Sequence, residues 1–246
     1  MAFSQIAPVA GQLQQSVQGV GVVDTIKREI LGTVITAVDN YWGFGEFLYV
    51  AFPASAAITQ GQVVVWSGYG SNSTDTAGYQ CAVATNAANT GRPVGVAINA
   101  VASVASVQYG WIQISGNAVI KAAASVAAGT TFGIDVTTGG SVAANSAGRQ
   151  VLGAVSVAPS ATTVVKTATL TNGSPVIVVA DASGWFPGAA ITGTGVSGTV
   201  SSIDYDNRRV TLSANATAGG PSSVTATYTG FIVGQISRPV LQGAIT

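Results

Sequence analysis

The stretch Pro93–Lys121, PVGVAINAVASVASVQYGWIQISGNAVIK, alternates apolar residues with small or polar ones on either side of a Tyr-Gly-Trp centre. Val94, Val96 and Ile98 fall on one face of an extended chain, with Gly95, Ala97 and Asn99 on the other. Ile112 and Ile114 alternate in the same way against Trp111, Gln113 and Ser115. A period of two belongs to a half-buried strand and not to a helix. Ser115-Gly116-Asn117 is a turn signal, after which Ala118–Ala123 reads as a third strand. The stretch is therefore expected to form the middle of an antiparallel sheet on which the rest of the chain is laid.

What covers such a sheet is limited by charge. Only 7% of the residues are charged and 48% are hydrophobic, against roughly 25% charged in an average soluble domain. The surface must be built largely from Ser, Thr, Asn, Gln and Gly. Nine basic and nine acidic residues give zero net charge, so there is no electrostatic footprint for nucleic acid or an anionic membrane. A neutral, sparsely charged protein is poorly protected against association, which makes association itself a candidate role. Phe47–Thr74 and Pro93–Ile120 are each 28 residues without a charge, long enough to cross a bilayer as a helix, which takes about 20. Gly, Pro, Asn and Gln interrupt both, and their period is that of strands, so no membrane span is expected. The start, MAFSQIAPVAGQLQQ, has neither a basic nor an apolar region that would mark it for export. Cys81 is the single cysteine, which fits assembly in a reducing cytoplasm and a small buried side chain.

Residues 1–23 hold five Gln, three Gly and no charge, and they read as an extended arm. Asp24–Glu29 then carries Asp24, Lys27, Arg28 and Glu29, a solvated edge or a contact with another subunit. Gly32–Val38 reads as a strand. Next comes YWGFGEFLYVAF, in which Tyr41, Trp42, Phe44, Phe47, Tyr49 and Phe52 supply six of the eighteen aromatics. Such rings, with glycines between them that allow close backbone approach, suit either an interface or a small core.

A faint echo runs through the middle of the chain. Ile58-Thr-Gln-Gly-Gln-Val-Val matches Val126-Ala-Ala-Gly-Thr-Thr-Phe, and each is followed by a Gly-Arg step into an apolar strand, at Gly91-Arg92 and Gly148-Arg149. The polar segments between, Gly68–Thr90 and Asp135–Ser146, read as loops. Two related β units packed together would explain the pattern. From about Lys166 the composition shifts to Thr, Ser and Gly, with strand-like runs at Val176–Ala180, Ala189–Gly193, Val200–Tyr205, Val210–Ser213 and Val224–Tyr228. Turn signals at Asn172-Gly173, Ser183-Gly184, Asp206-Asn207 and Gly219-Gly220 separate them. The apolar alternation of the body resumes in Phe231-Ile-Val-Gly-Gln-Ile. The expected class is all-β: a compact antiparallel β-barrel or sandwich body (24–163, completed by 229–246), an extended N-terminal arm (1–23) and an inserted small β domain (164–228).

Catalytic chemistry has little to draw on. With no His in the chain, the commonest general base, His metal sites and Ser-His or Cys-His nucleophiles are all missing. Asp204 and Asp206 are a close pair, but without further ligands and the glycine of a calcium loop they read as turn formers. Gly193-Thr-Gly-Val-Ser-Gly198 fits G-x-G-x-x-G, yet strand-like Thr199-Val-Ser-Ser-Ile follows where a dinucleotide site needs a helix. Asn72-Ser-Thr74 and Asn215-Ala-Thr217 spell glycosylation sequons with no export signal beside them. No catalytic, cofactor-binding or metal residue is assigned, and no enzyme activity is expected.

The order Asp24-Thr-Ile-Lys-Arg-Glu, Leu31-Gly-Thr-Val-Ile-Thr-Ala-Val, Tyr41-Trp-Gly-Phe-Gly-Glu-Phe, Gly91-Arg-Pro-Val-Gly-Val-Ala and Tyr109-Gly-Trp-Ile-Gln-Ile-Ser-Gly resembles a tailed-phage capsid decoration, or cement, protein. The resemblance covers about 24–163 and resumes from Phe231 to the C-terminus. The stretch between, with Ala168-Thr-Leu-Thr-Asn-Gly-Ser and Ile191-Thr-Gly-Thr-Gly-Val, is similar to small β modules of phage virion proteins. The resemblance implies a protein without catalysis, often a homotrimer, that sits outside an icosahedral head, bridges neighbouring copies of the major capsid protein and is assembled in the host cytoplasm. It brings no catalytic residues to transfer. The candidate partner-interface residues are Gln12, Leu13 and Val17 of the arm and Tyr41, Trp42, Phe44 and Phe47 of the aromatic run. A tail or fibre component whose inserted module binds carbohydrate is the alternative.

Overall fold

The computed structural model describes residues 4–5, 22–39, 43–67, 79–158, 162–182, 185, 187–204 and 207–244. Every regular element among them is a strand, so the all-β class holds. The first seven are β1 (Ser4–Gln5), β2 (Val34–Asp39), β3 (Gly43–Phe52), β4 (Val63–Ser67), β5 (Gln80–Val83), β6 (Val94–Ala97) and β7 (Gln108–Lys121). Strands β3, β5, β4, β6 and β7 pair in that order, and β7 pairs back onto β3, which closes a ring. Leu48, Val50 and Phe52 of β3 fill it together with Val64, Cys81, Ala97, Ile112 and Ile114. On the opposite face of β3, Phe47 and Tyr49 are also buried. Tyr49 lies directly across from Trp111, with ring centroids 4.9 Å apart at 59°. The alternation that predicts one buried face here is overridden because β3 is covered on both.

Strand β7 corrects the expected turn at Ser115-Gly116-Asn117. It runs unbroken for 14 residues, and the predicted third run is its C-terminal half. Opposite it, Glu46 pairs with Ser115 but Phe47 pairs with Gln113, so Ile114 is an extra residue, a β-bulge. Gly116 follows with φ +95°, and a Cβ there would collide with the Phe44 carbonyl. The bulge bends β7, so that its first half serves one ring and its second half another.

That second ring is built from β8 (Phe132–Ile134), β9 (Val142–Ala144) and β10 (Val151–Ala158). The chain then runs through β11 (Thr162–Leu170), β12 (Val176–Val179), β13 (Ala190–Gly193), β14 (Val196–Asp204), β15 (Arg209–Leu212) and β16 (Gly220–Tyr228) before returning as β17 (Phe231–Leu241). Strand β17 pairs with β7 on one side and β10 on the other. Strands β8 and β9 pair, and the bridges Gly133↔Gln150 and Ala122↔Val142 tie them to β10 and to the end of β7. The connectivity repeats that of the first ring down to its one parallel contact, Ala51↔Gln80 there and Ala122↔Val142 here. The sequence echo has the same counterpart: Gly61 and Gly129 turn at φ +82° and +74° just before β4 and β8. Strands β5 and β9 lie inside the two segments that read as loops; their short runs of small residues give too weak a pattern to see. The second interior holds Ala118, Ile120, Phe132, Ile134, Val142, Ile232 and Ile236, and Val63, Val65, Val94 and Val96 from the backs of β4 and β6 pack onto it.

Strands β11, β12, β15, β14, β13 and β16 form a closed barrel. Along β11, Val164, Ala168 and Leu170 are buried while Thr163, Val165, Thr167 and Thr169 are exposed, the inside-outside alternation of a barrel wall. Trp185 fills the interior and donates its Nε1–H to the Val164 carbonyl at 3.3 Å, so the indole dipole is not left unsatisfied. Strand β11 starts at Thr162, a few residues before the composition shift. The G-x-G-x-x-G stretch is the β13–β14 hairpin, followed at once by strand.

Candidate functional site: a sheet edge beside an exposed ring

The β2–β3 hairpin lies at one end of the nine-stranded sheet, and its outer edge is where the arm attaches. Ser4 pairs with Val38 and Gln5 with Ala37, antiparallel, so β1 is a short strand added to β2 of its own chain. The remaining outer positions of β2, Val34, Ile35 and Thr36, have no strand partner on that side among the described residues. On the inner side β2 is paired with β3 along its whole length.

Opposed residues of neighbouring strands share a face. Val38 and Phe44 therefore form one row and Ala37 and Gly45 the next. Ala37 is fully buried, whereas Phe44 is 67% exposed. Of the candidate interface residues, Phe44 is thus a large apolar ring facing solvent two strands in from the edge. Phe47, three positions on, is fully buried in the core and is not available to a partner surface. Gln12, Leu13, Val17, Tyr41 and Trp42 lie outside the described residues. Residues 40–42, which carry Tyr41 and Trp42, connect the paired ends Asp39 and Gly43 of this hairpin.

The segment after the arm is fastened across the neighbouring strands. Asp24 exchanges two backbone hydrogen bonds with Tyr109, at 3.0 and 2.7 Å. Its carboxylate accepts from Arg28 Nε at 2.7 Å, and the guanidinium beside it lowers its pKa. The Arg28 amide donates to the Tyr49 hydroxyl at 3.1 Å, and burial of that phenol raises its pKa. Farther along the sheet, Arg238 forks onto Glu46 at 3.2 and 3.3 Å, tying β17 to β3. These charges are satisfied within the chain, and along the outer edge of β2 the run Val34–Val38 is uncharged, with Asp39 at its end.

Sequence reasoning missed Val38 and the rest of the β2 edge as part of the site. The signal was present in the alternation of Gly32–Val38, but which strand lies outermost depends on long-range pairing. Elsewhere, Asp204 accepts from the amide and side chain of Asn207 at 3.0 and 2.8 Å, a turn arrangement; Asp206 is outside the described residues. Among the described residues, no group of three or more His, Cys, Asp or Glu could hold a metal ion. Compared with known proteins, the chain matches no family model, no curated protein and no solved structure.

Proposed function

We propose that this chain is a virion structural protein, a head decoration or cement protein that binds the outer surface of an icosahedral capsid as a homotrimer and bridges copies of the major capsid protein. The observation that supports this reading is the β2 edge, uncharged from Val34 to Val38, to which a short strand of the chain's own arm is already added beside the exposed Phe44 ring. Strand addition gives affinity through main-chain hydrogen bonds without needing charge or catalytic chemistry. Many copies on one shell multiply a modest contact, since whatever binds the assembled state stabilises it by mass action. The described aromatics of the six-stranded barrel, Trp185 and Tyr228, are both buried and offer no stacking face for a sugar, so the fibre alternative gains no support from them. The test is co-sedimentation with expanded, undecorated heads, followed by cryo-EM of the decorated particle. Saturable density outside the shell is expected. Recovery only in purified tails would overturn the proposal.

A further inference from the structure

We propose that the outer edge of β2 is the acceptor for the N-terminal strand of a second copy of this chain, so that arms are exchanged between the copies of the oligomer. The inference deepens the reading above, from which it takes a homo-oligomer as its setting, and it names the segment that links the copies. The ladder Ser4↔Val38 and Gln5↔Ala37 joins β1 to the body within one chain. Sixteen residues, 6–21, separate Gln5 from the next described residue, Val22. A chain of that length spans up to about 55 Å, enough to carry the same strand onto a neighbour. The contacts made are then identical in both arrangements, which is the condition under which exchange of an element costs little.

The register also limits how far such pairing can extend. Antiparallel pairing that sets residue 4 against 38 and 5 against 37 would set Pro8 against Val34. Proline has no N–H to give to a ladder. A strand added in this register would have to end before Pro8, leaving Val34 at the start of β2 uncovered, which limits the edge as a template for open-ended stacking. The arm carries no charge through residue 23, so nothing in it repels a second copy. Phe44, across from Val38 on the strand behind the acceptor edge, adds an exposed apolar surface for the neighbour's body to cover.

The test uses cysteines at one paired position. Opposed strand residues have Cα atoms about 4.5–5.5 Å apart, within disulfide range. Full-length Ser4→Cys and Val38→Cys chains are co-expressed with distinguishable tags and mildly oxidised, with the parent chain as a control for buried Cys81. The expected result is a disulfide-linked dimer carrying both tags, absent when either variant is expressed alone. The double variant should give covalent oligomers. A double variant that yields only an internally bridged monomer, with no mixed dimer, overturns arm exchange. If Val38→Cys fails to fold, light scattering of a chain lacking residues 1–8 replaces it: loss of oligomer mass is expected, and unchanged mass overturns the proposal. Head binding by an internally bridged chain would reject exchange while leaving the cement reading intact. Covalent oligomers that ignore heads would do the reverse.

Discussion

At the scale of single residues, neighbouring aromatics on one strand do opposite things. Phe47 is sealed in the core and Phe44 stands in solvent. Phe47→Ala should cost about 3–5 kcal/mol through the cavity it leaves. Phe44→Ser should change monomer stability by no more than about 0.5 kcal/mol while weakening the proposed self-association. Urea midpoints and sedimentation mass on both variants separate the two roles; equal losses of stability would refute the division. The odd spacing of Phe44 and Phe47 puts the two rings on opposite faces of a strand, but which face is covered at each position depends on the pairing of β3 with β2 and β7, which the sequence does not show. Gly116 misled for a related reason. A turn and a bulge both want glycine at positive φ, and only the partner strand tells them apart. Gly116→Ala combines an unfavourable φ with a clash against the Phe44 carbonyl, and should destabilise by about 1–3 kcal/mol. An unchanged urea midpoint would show that the close approach is relaxed in solution.

At the scale of elements, the two rings share β7 and repeat one order of pairing, and the six-stranded barrel occupies one connection of the second ring. In the first ring, residues 98–107 join β6 to β7; in the second, the corresponding β10–β17 connection contains the barrel. The strand ends on either side are already neighbours, since Ala158 pairs with Val233. Antiparallel strands so placed can be joined by a turn of two to about five residues. Replacing residues 160–229 with a short Gly- and Asn-containing turn should leave a body that still unfolds cooperatively, at a lower midpoint because Phe231 loses part of the apolar cluster it packs against. Loss of cooperative unfolding would mean that the barrel is needed for the second ring to close. Much of this arrangement was legible. The strands of the barrel announce themselves by alternation and turn pairs, and the doubled Gly-turn and Gly-Arg steps mark the repeat. Strands β5 and β9 were not legible because three- and four-residue runs of small side chains owe their form to their neighbours, not to a pattern of their own.

For the whole molecule, the scarcity of ionisable groups becomes a prediction about pH. With no His, no side chain has an ordinary pKa between pH 5 and 7, and burial pushes the Cys81 thiol far above that range. Stability should therefore be flat from pH 5 to 7, and Cys81 should resist thiol reagents until the chain unfolds. Acid acts in one direction. The Asp24 carboxylate is held below its usual pKa by Arg28, and Asp135 by the Thr137 hydroxyl and the amides of Thr137 and Thr138. A carboxylate with a lower pKa folded than unfolded stabilises the fold above its unfolded pKa, and that contribution disappears as pH falls through the folded value. The thermal midpoint should begin to drop only below about pH 4. If the copies are joined as proposed, by main-chain pairing and apolar contact, the same scarcity predicts that their affinity holds as salt is raised, since screening weakens exposed charge pairs and leaves strand addition untouched. Sedimentation across a salt series checks this. A steep loss of oligomer at high ionic strength would mean that the few surface charges, and not the β2 edge, hold the copies together.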